Sequence, residues 1–244
     1  MVNIRQRDVT AHILDAAAEE QFAKDRATYA KLVDHDYSCQ REVYGVLHRV
    51  LAELPTPFRF LDLACGDARG VVGALRGTAV AHYHGVDLPR PARDMASVSV
   101  ETLTCLVELD QRDFITAMAD RPEPADVVWI GLSLHHLATA AKLILMREVR
   151  GVLGATGRFL IYEPTCRDGE DREGYLARFE RVHRPLWAAL SAAEWTGILD
   201  HVTRCDLPES TAGWTALGHE AGFDRVEQLF VAPTDLYRLF AFHA

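Results

Sequence analysis

Several acidic and small residues stand at the ends of short apolar runs, where a fold that alternates strands and helices would gather them. The most informative run is Phe60-Leu61-Asp62-Leu63-Ala64-Cys65-Gly66-Asp67-Ala68-Arg69-Gly70. A ligand approaches a backbone closely only where side chains are small, and Ala64, Gly66 and Ala68 leave that room. A helix opening just after the loop adds free N–H groups and the positive end of its dipole. Asp62, an acid at a strand end, suits a ligand that carries an ammonium group. The spacing G-x-G-x-x-G, which a pyrophosphate requires, is absent. Two further acids recur downstream, in Val86-Asp87-Leu88 and in Gln111-Arg112-Asp113-Phe114. Either could bind a ligand or cap the helix that follows.

The fourth apolar run ends Trp129-Ile130-Gly131-Leu132-Ser133-Leu134-His135-His136-Leu137. Histidine titrates near neutral pH, so His135 and His136 are candidates for proton transfer or substrate contact. Packing against the first loop is the plain alternative. Glu163, after the fifth run, is a candidate to orient a substrate or to make a structural hydrogen bond. His82 and His84 share a strand face but have no third ligand nearby in sequence, so no metal site is expected. Five cysteines with no C-x-x-C pair fit single reduced thiols rather than a disulfide framework or zinc ribbon.

The elements that must position these residues follow from periodicity. Residues 8–33 read as a helix, and about 40–53 as a second, ended by Pro55 and Pro57. Strands are expected at Phe58–Ala64, Val80–Asp87, Cys105–Leu109, Asp126–Leu132 and Gly157–Glu163. Helices are expected at about 68–75, 91–100, 113–119 and 139–153. Strictly alternating units with near-continuous apolar strands imply a buried parallel sheet covered on both faces. Residues 165–207 break the rhythm with a helix-rich, charge-paired stretch that carries Tyr175, Phe179, Trp187 and Trp195. A helix over 210–221 and two closing strands, antiparallel to each other, complete the chain. The expected architecture is a Rossmann-like, doubly wound α/β sheet of seven strands, mostly parallel with an antiparallel last strand. Residues 1–54 form an N-terminal helical cap on a core domain at 55–244, and 165–207 form an inserted one.

The chain has 244 residues, of which 49% are hydrophobic and 25% charged, so it can build a sizeable core without staples. Its net charge of −9 argues against nucleic acid as the main partner. No apolar stretch suits a membrane span or signal peptide. A cytoplasmic protein is expected, with a homodimer left open.

Taken together, the ordered motifs resemble those of the class I S-adenosylmethionine-dependent methyltransferases, small-molecule type (EC 2.1.1 class). Two of the family's usual loop glycines are Ala64 and Ala68 here. The resemblance implies S-adenosyl-L-methionine as cofactor, held by Asp62, Ala64, Gly66, Asp87, Leu88, Asp113, Phe114 and Gly131. Asp87 would accept the ribose hydroxyls. Asp113 would take the adenine amino group, with Phe114 packed on the ring. His135 and His136 would stand near the transferred methyl group as catalytic residues. Tyr29, Tyr37, Glu163 and Trp187 would contact a small-molecule substrate. The runs that distinguish nucleobase, cytosine-C5 and metal-dependent catechol-type relatives are absent. A cofactor-binding protein of this fold with a regulatory role is the alternative.

Overall fold

The computed structural model describes residues 27–54, 57–88, 90–120 and 122–244. Most of the helix expected over residues 8–33 lies outside them. Its described end, residues 27–34, is helical.

Among the described residues, eight strands form one sheet: β1 (Phe58–Leu63), β2 (Val80–Asp87), β3 (Leu106–Gln111), β4 (Ala125–Gly131), β5 (Leu153–Cys166), β6 (Glu209–Ser210), β7 (Arg225–Val231) and β8 (Tyr237–His243). The order is β3-β2-β1-β4-β5-β8-β7, and the two-residue β6 pairs with the end of β5. β8 runs antiparallel to both β5 and β7, while β1 to β5 pair in parallel. Chain order reverses at β1, so the strand ends on either side of it diverge and leave a crevice at their carboxyl edge.

Besides the helical residues 27–34, the described residues place eight α-helices around the sheet: α1 (Gln40–Ala52), α2 (Arg69–Leu75), α3 (Arg90–Ser99), α4 (Phe114–Ala119), α5 (Thr139–Val152), α6 (Arg172–Leu186), α7 (Ala192–Cys205) and α8 (Thr211–Glu220). The strands alternate between two apolar clusters. Phe60, Val127, Trp129, Leu160 and Tyr162 point into one, and Leu61, Val128, Ile130, Phe159 and Ile161 into the other. With both faces covered, polar alternation along the strands is lost, which is why they read as continuous apolar runs.

The helical additions share that core. α1 contributes Val43, Leu47 and Leu51 to the cluster that holds β1, and the insertion contributes Tyr175, Phe179, Trp187 and Trp195. One charge of the insertion departs from the expected solvated pairing. Arg178 is buried at 2% exposure, bound to Glu170 and donating to the Asp235 carbonyl at 2.6 Å. A buried guanidinium holds its place only when so matched.

Candidate active site

A cavity of about 940 Å³ opens along the carboxyl ends of β1, β2 and β4. Its size falls within the range of roughly 300–1,000 Å³ usual for small-molecule sites. All eight expected cofactor residues line it: Asp62, Ala64, Gly66, Asp87, Leu88, Asp113, Phe114 and Gly131.

The loop after β1 takes an unusual path. Ala64, Gly66 and Ala68 have φ of 56°, 55° and 56°, all in the left-handed region. That conformation strains an alanine and suits a glycine. A Cβ built on Gly66 would meet no atom within 4 Å, so protein packing is not what keeps the side chain absent there. Gly66 borders the cavity, and a ligand in the cavity is what would need the space. The Gly66 N–H donates to Oδ2 of Asp87 at 2.6 Å, which ties the loop to the end of β2. The other oxygen of Asp87 accepts from the Leu88 N–H at 2.7 Å.

Asp62 is 1% exposed and accepts a hydrogen bond from the Tyr83 hydroxyl at 2.8 Å. Burial pushes its carboxyl up to about 8; the Asp87 charge adds to this, and the Tyr83 bond opposes it. A buried carboxylate held this high needs a cation to favour its charged form. Asp113 caps α4, its Oδ1 accepting from the Ile115 and Thr116 N–H groups at 2.9 and 3.1 Å. Capping by one oxygen leaves the other available, and Asp113 also borders the cavity. The donor set therefore fits a cationic nucleoside: an acid for an ammonium, acceptors for hydroxyl and amino groups, and a loop without side chains.

The remaining candidates divide. His136 and Tyr29 line the cavity; His135, Glu163, Tyr37 and Trp187 do not. Glu163 is fully buried and accepts from the Ser133, Leu134 and His135 N–H groups at 3.1, 3.0 and 3.2 Å. Its Oε2 also lies 2.6 Å from Nδ1 of His135. Its oxygens are spent on holding the β4 loop, which replaces the expected substrate contact with a structural role. Burial works to lower the His135 pKa, but the bond and charge of Glu163 outweigh it and the imidazole is raised. His136 is lowered to about 4 by burial and by the facing His135 and His201, so it is neutral at pH 7.

Tyr37 and Trp187 meet each other away from the cavity. Their rings stack at 5.5 Å, and the Tyr37 hydroxyl accepts from the Ala189 N–H at 2.9 Å. Together they fasten the N-terminal segment to the insertion.

Some lining residues carried no sequence signal of their own. Tyr44 borders the cavity and packs so closely on α2 that a Cβ at Gly70 would lie 2.0 Å from its ring. Gly70 was the available clue, since a helix interior disfavours glycine unless something needs the space. Asp206, after α7, was unmarked in sequence, and the fold carries it to the two histidines of the β4 loop.

Residues 61–161 match a family described as a methyltransferase domain. No curated protein sequence matches the chain. Among solved structures, an O-methyltransferase family protein from Burkholderia thailandensis is similar at 21% identity and a TM-score of 0.63, covering 92% of this chain and 62% of that one. The mitomycin 7-O-methyltransferase MmcR is similar at 16% identity and a TM-score of 0.60, covering 94% of this chain and 58% of that one. A structure of PigF with SAH is similar at 17% identity and a TM-score of 0.53, covering 77% of this chain and 50% of that one. The chain thus spans less than two thirds of the length of these relatives.

Proposed function

We propose that the chain is a class I S-adenosylmethionine-dependent methyltransferase that methylates a small-molecule acceptor, a reading supported by the methyltransferase-domain match over residues 61–161 and by the fold it shares with solved methyltransferases. The observation that carries the reading is the meeting of Asp62, Gly66, Asp87 and Asp113 around one cavity. When bound, S-adenosyl-L-methionine supplies a methyl group already activated by its sulfonium.

The chain's own residues then bind and orient. Asp62 faces the cavity as the partner for the cofactor's ammonium. Asp87 holds the loop through the Gly66 N–H and accepts from the ribose hydroxyls. Asp113 and Phe114 border the adenine end. On the acceptor side, His136, Leu132, Ser133, Trp129 and Tyr162 complete the wall. Neutral His136 offers a hydrogen-bonding nitrogen to the acceptor. His135, tied to Glu163 behind the wall, positions the loop. Aligning donor and acceptor is the main task, because proximity alone can supply about 7–11 kcal/mol of the barrier. The names of two similar structures, both O-methyltransferases, support a hydroxyl-bearing acceptor.

Calorimetry with S-adenosylmethionine, its demethylated product and NAD tests the premise. The sulfur nucleosides should bind and NAD should not. Transfer of labelled methyl to a panel of hydroxylated aromatic acceptors then tests the reaction. Binding without transfer to any acceptor would favour a regulatory role. No binding of either sulfur nucleoside would sink both readings. The cavity lies inside the chain's own fold, and no helix among the described residues is long and apolar enough to cross a membrane.

A further inference from the structure

We propose a divalent-cation site of the zinc class, formed by Nε2 of His135, Nδ1 of His136 and Oδ1 of Asp206, with Nε2 of His201 as a fourth donor. The three imidazoles converge on one oxygen: the nitrogens of His135, His136 and His201 lie 3.6, 3.6 and 4.0 Å from Oδ1 of Asp206. These separations are too long for hydrogen bonds. Asp206 is 4% exposed, and that oxygen has no hydrogen-bond partner. A buried carboxylate oxygen left unpaired is costly, and here three imidazole nitrogens face it.

A shared cation accounts for the spacing. Zinc binds nitrogen and carboxylate oxygen at about 2.0–2.2 Å in a tetrahedron, so its ligand atoms stand roughly 3.4 Å apart. The donor atoms of His135, His136 and Asp206 all lie within 4.8 Å of one another, and small side-chain rotations close the difference. The mixed nitrogen and oxygen set suits zinc-class ions and not magnesium or calcium, which take oxygen ligands.

The surroundings are built as such sites are. Nδ1 of His135 is held by Glu163 at 2.6 Å, which turns Nε2 toward Asp206. A carboxylate behind a ligating imidazole fixes its tautomer and orientation. The end of α7 is pinned to the same loop, with the Leu207 N–H donating to the His135 carbonyl at 2.7 Å. A protonated His135 bridging Glu163 and Asp206 would also place positive charge here. It would leave unexplained why His136 and His201 turn to the same oxygen at distances beyond hydrogen bonding.

The site sits at the cavity's edge. His136 lines the cavity, and the side chains of His136 and His201 are 38% and 58% exposed, which leaves an entry path. Expansion to a fifth ligand there would take an oxygen of the acceptor, a role that rests on the methyltransferase reading. The binding itself does not rest on it.

The test uses the full chain after chelator treatment, with no cofactor present. Zinc is titrated calorimetrically, and cobalt by its visible absorption. One equivalent per chain is expected, with the intense cobalt bands of a four-coordinate site. Asp206→Asn and His136→Gln should weaken binding at least tenfold. His201→Ala, at an exposed position that tolerates truncation, should weaken it severalfold with unchanged circular dichroism. A wild-type chain that binds neither metal would overturn the site, as would binding unaffected by both Asp206→Asn and His201→Ala. Either failure leaves cofactor affinity, measured separately, to judge the methyltransferase reading.

Discussion

Oε2 of Glu163 and Nδ1 of His135 lie 2.6 Å apart, in a pair that is almost wholly buried. Glu163 ends the apolar part of β5, and His135 belongs to the loop after β4. The carboxylate therefore clamps the strand that forms the cavity wall to its neighbour. Removing one partner of a buried charged pair costs about 3–5 kcal/mol, because the other is left uncompensated. Glu163→Ala should lose stability of that order in chemical denaturation, and Glu163→Gln, which keeps the shape and part of the hydrogen bonding, should lose less. Equal stability of wild type and Glu163→Ala would show that the loop does not depend on the clamp.

Asp87 joins two tasks, since it anchors Gly66 and faces the cavity. Asp87→Ala should weaken S-adenosylmethionine binding by about 1.5–3 kcal/mol, the range for hydrogen bonds to a charged group. Calorimetric affinity for cofactor and demethylated product should fall together, because both carry the ribose. An unchanged affinity would remove Asp87 from the site.

Asp62 gives cofactor binding a pH dependence. With its carboxyl held up at about 8, the free protein carries it mostly protonated at pH 7. Pairing with an ammonium favours the anion, so binding releases a proton. Affinity should then rise with pH between 6 and 7, by up to about tenfold per unit, and level off as pH approaches the raised pKa. Asp62→Asn should bind more weakly at pH 7 and show no slope. A wild-type affinity that is flat over this range would contradict the ammonium role.

These contrasts show which parts of the site were legible. Asp62, Asp87 and Asp113 each stand near the end of a parallel strand, and consecutive strand–helix units bring such ends to one edge. Local pattern was enough to collect them. Glu163 has the same placement, but its fate depended on three N–H groups from another loop, which strand periodicity does not report. Tyr37 and Trp187 were visible as aromatics on additions to the core, and their mutual stacking is a tertiary contact between distant segments. Asp206 is the extreme case, an acid after a helix whose meaning comes only from the imidazoles across from it. The mostly parallel sheet with its antiparallel last strand was legible because near-continuous apolar runs alternate with helical segments, while the eighth strand, the two-residue β6, was too short to leave a period.

Trp187 offers a test of the division between packing and binding. Its ring lies 5.7 Å from Phe179, 5.9 Å from Trp195 and 4.2 Å from His183. Trp187→Ala should cost about 3–5 kcal/mol of stability, as large-to-small changes at buried aromatics do. Cofactor affinity of the folded fraction should stay within about twofold of wild type, because the ring does not border the cavity. Loss of affinity with stability unchanged would instead make Trp187 a binding residue.

The alanines of the β1 loop separate backbone strain from packing. Ala64 has a left-handed φ of 56° and is only half-buried, so glycine there relieves strain and removes little contact. A left-handed conformation costs a non-glycine residue about 1–2 kcal/mol, and glycine's greater freedom in the unfolded chain returns roughly 0.5–1 kcal/mol of that. Ala64→Gly should therefore gain up to about 1 kcal/mol in denaturant unfolding, with cofactor binding retained. Ala68 has the same φ but is 2% exposed, so its methyl group is part of the core. Losing a buried methyl costs about 0.8 kcal/mol, which offsets the relief and leaves Ala68→Gly near neutral. Destabilisation by Ala64→Gly would mean that the loop adopts another backbone path in solution.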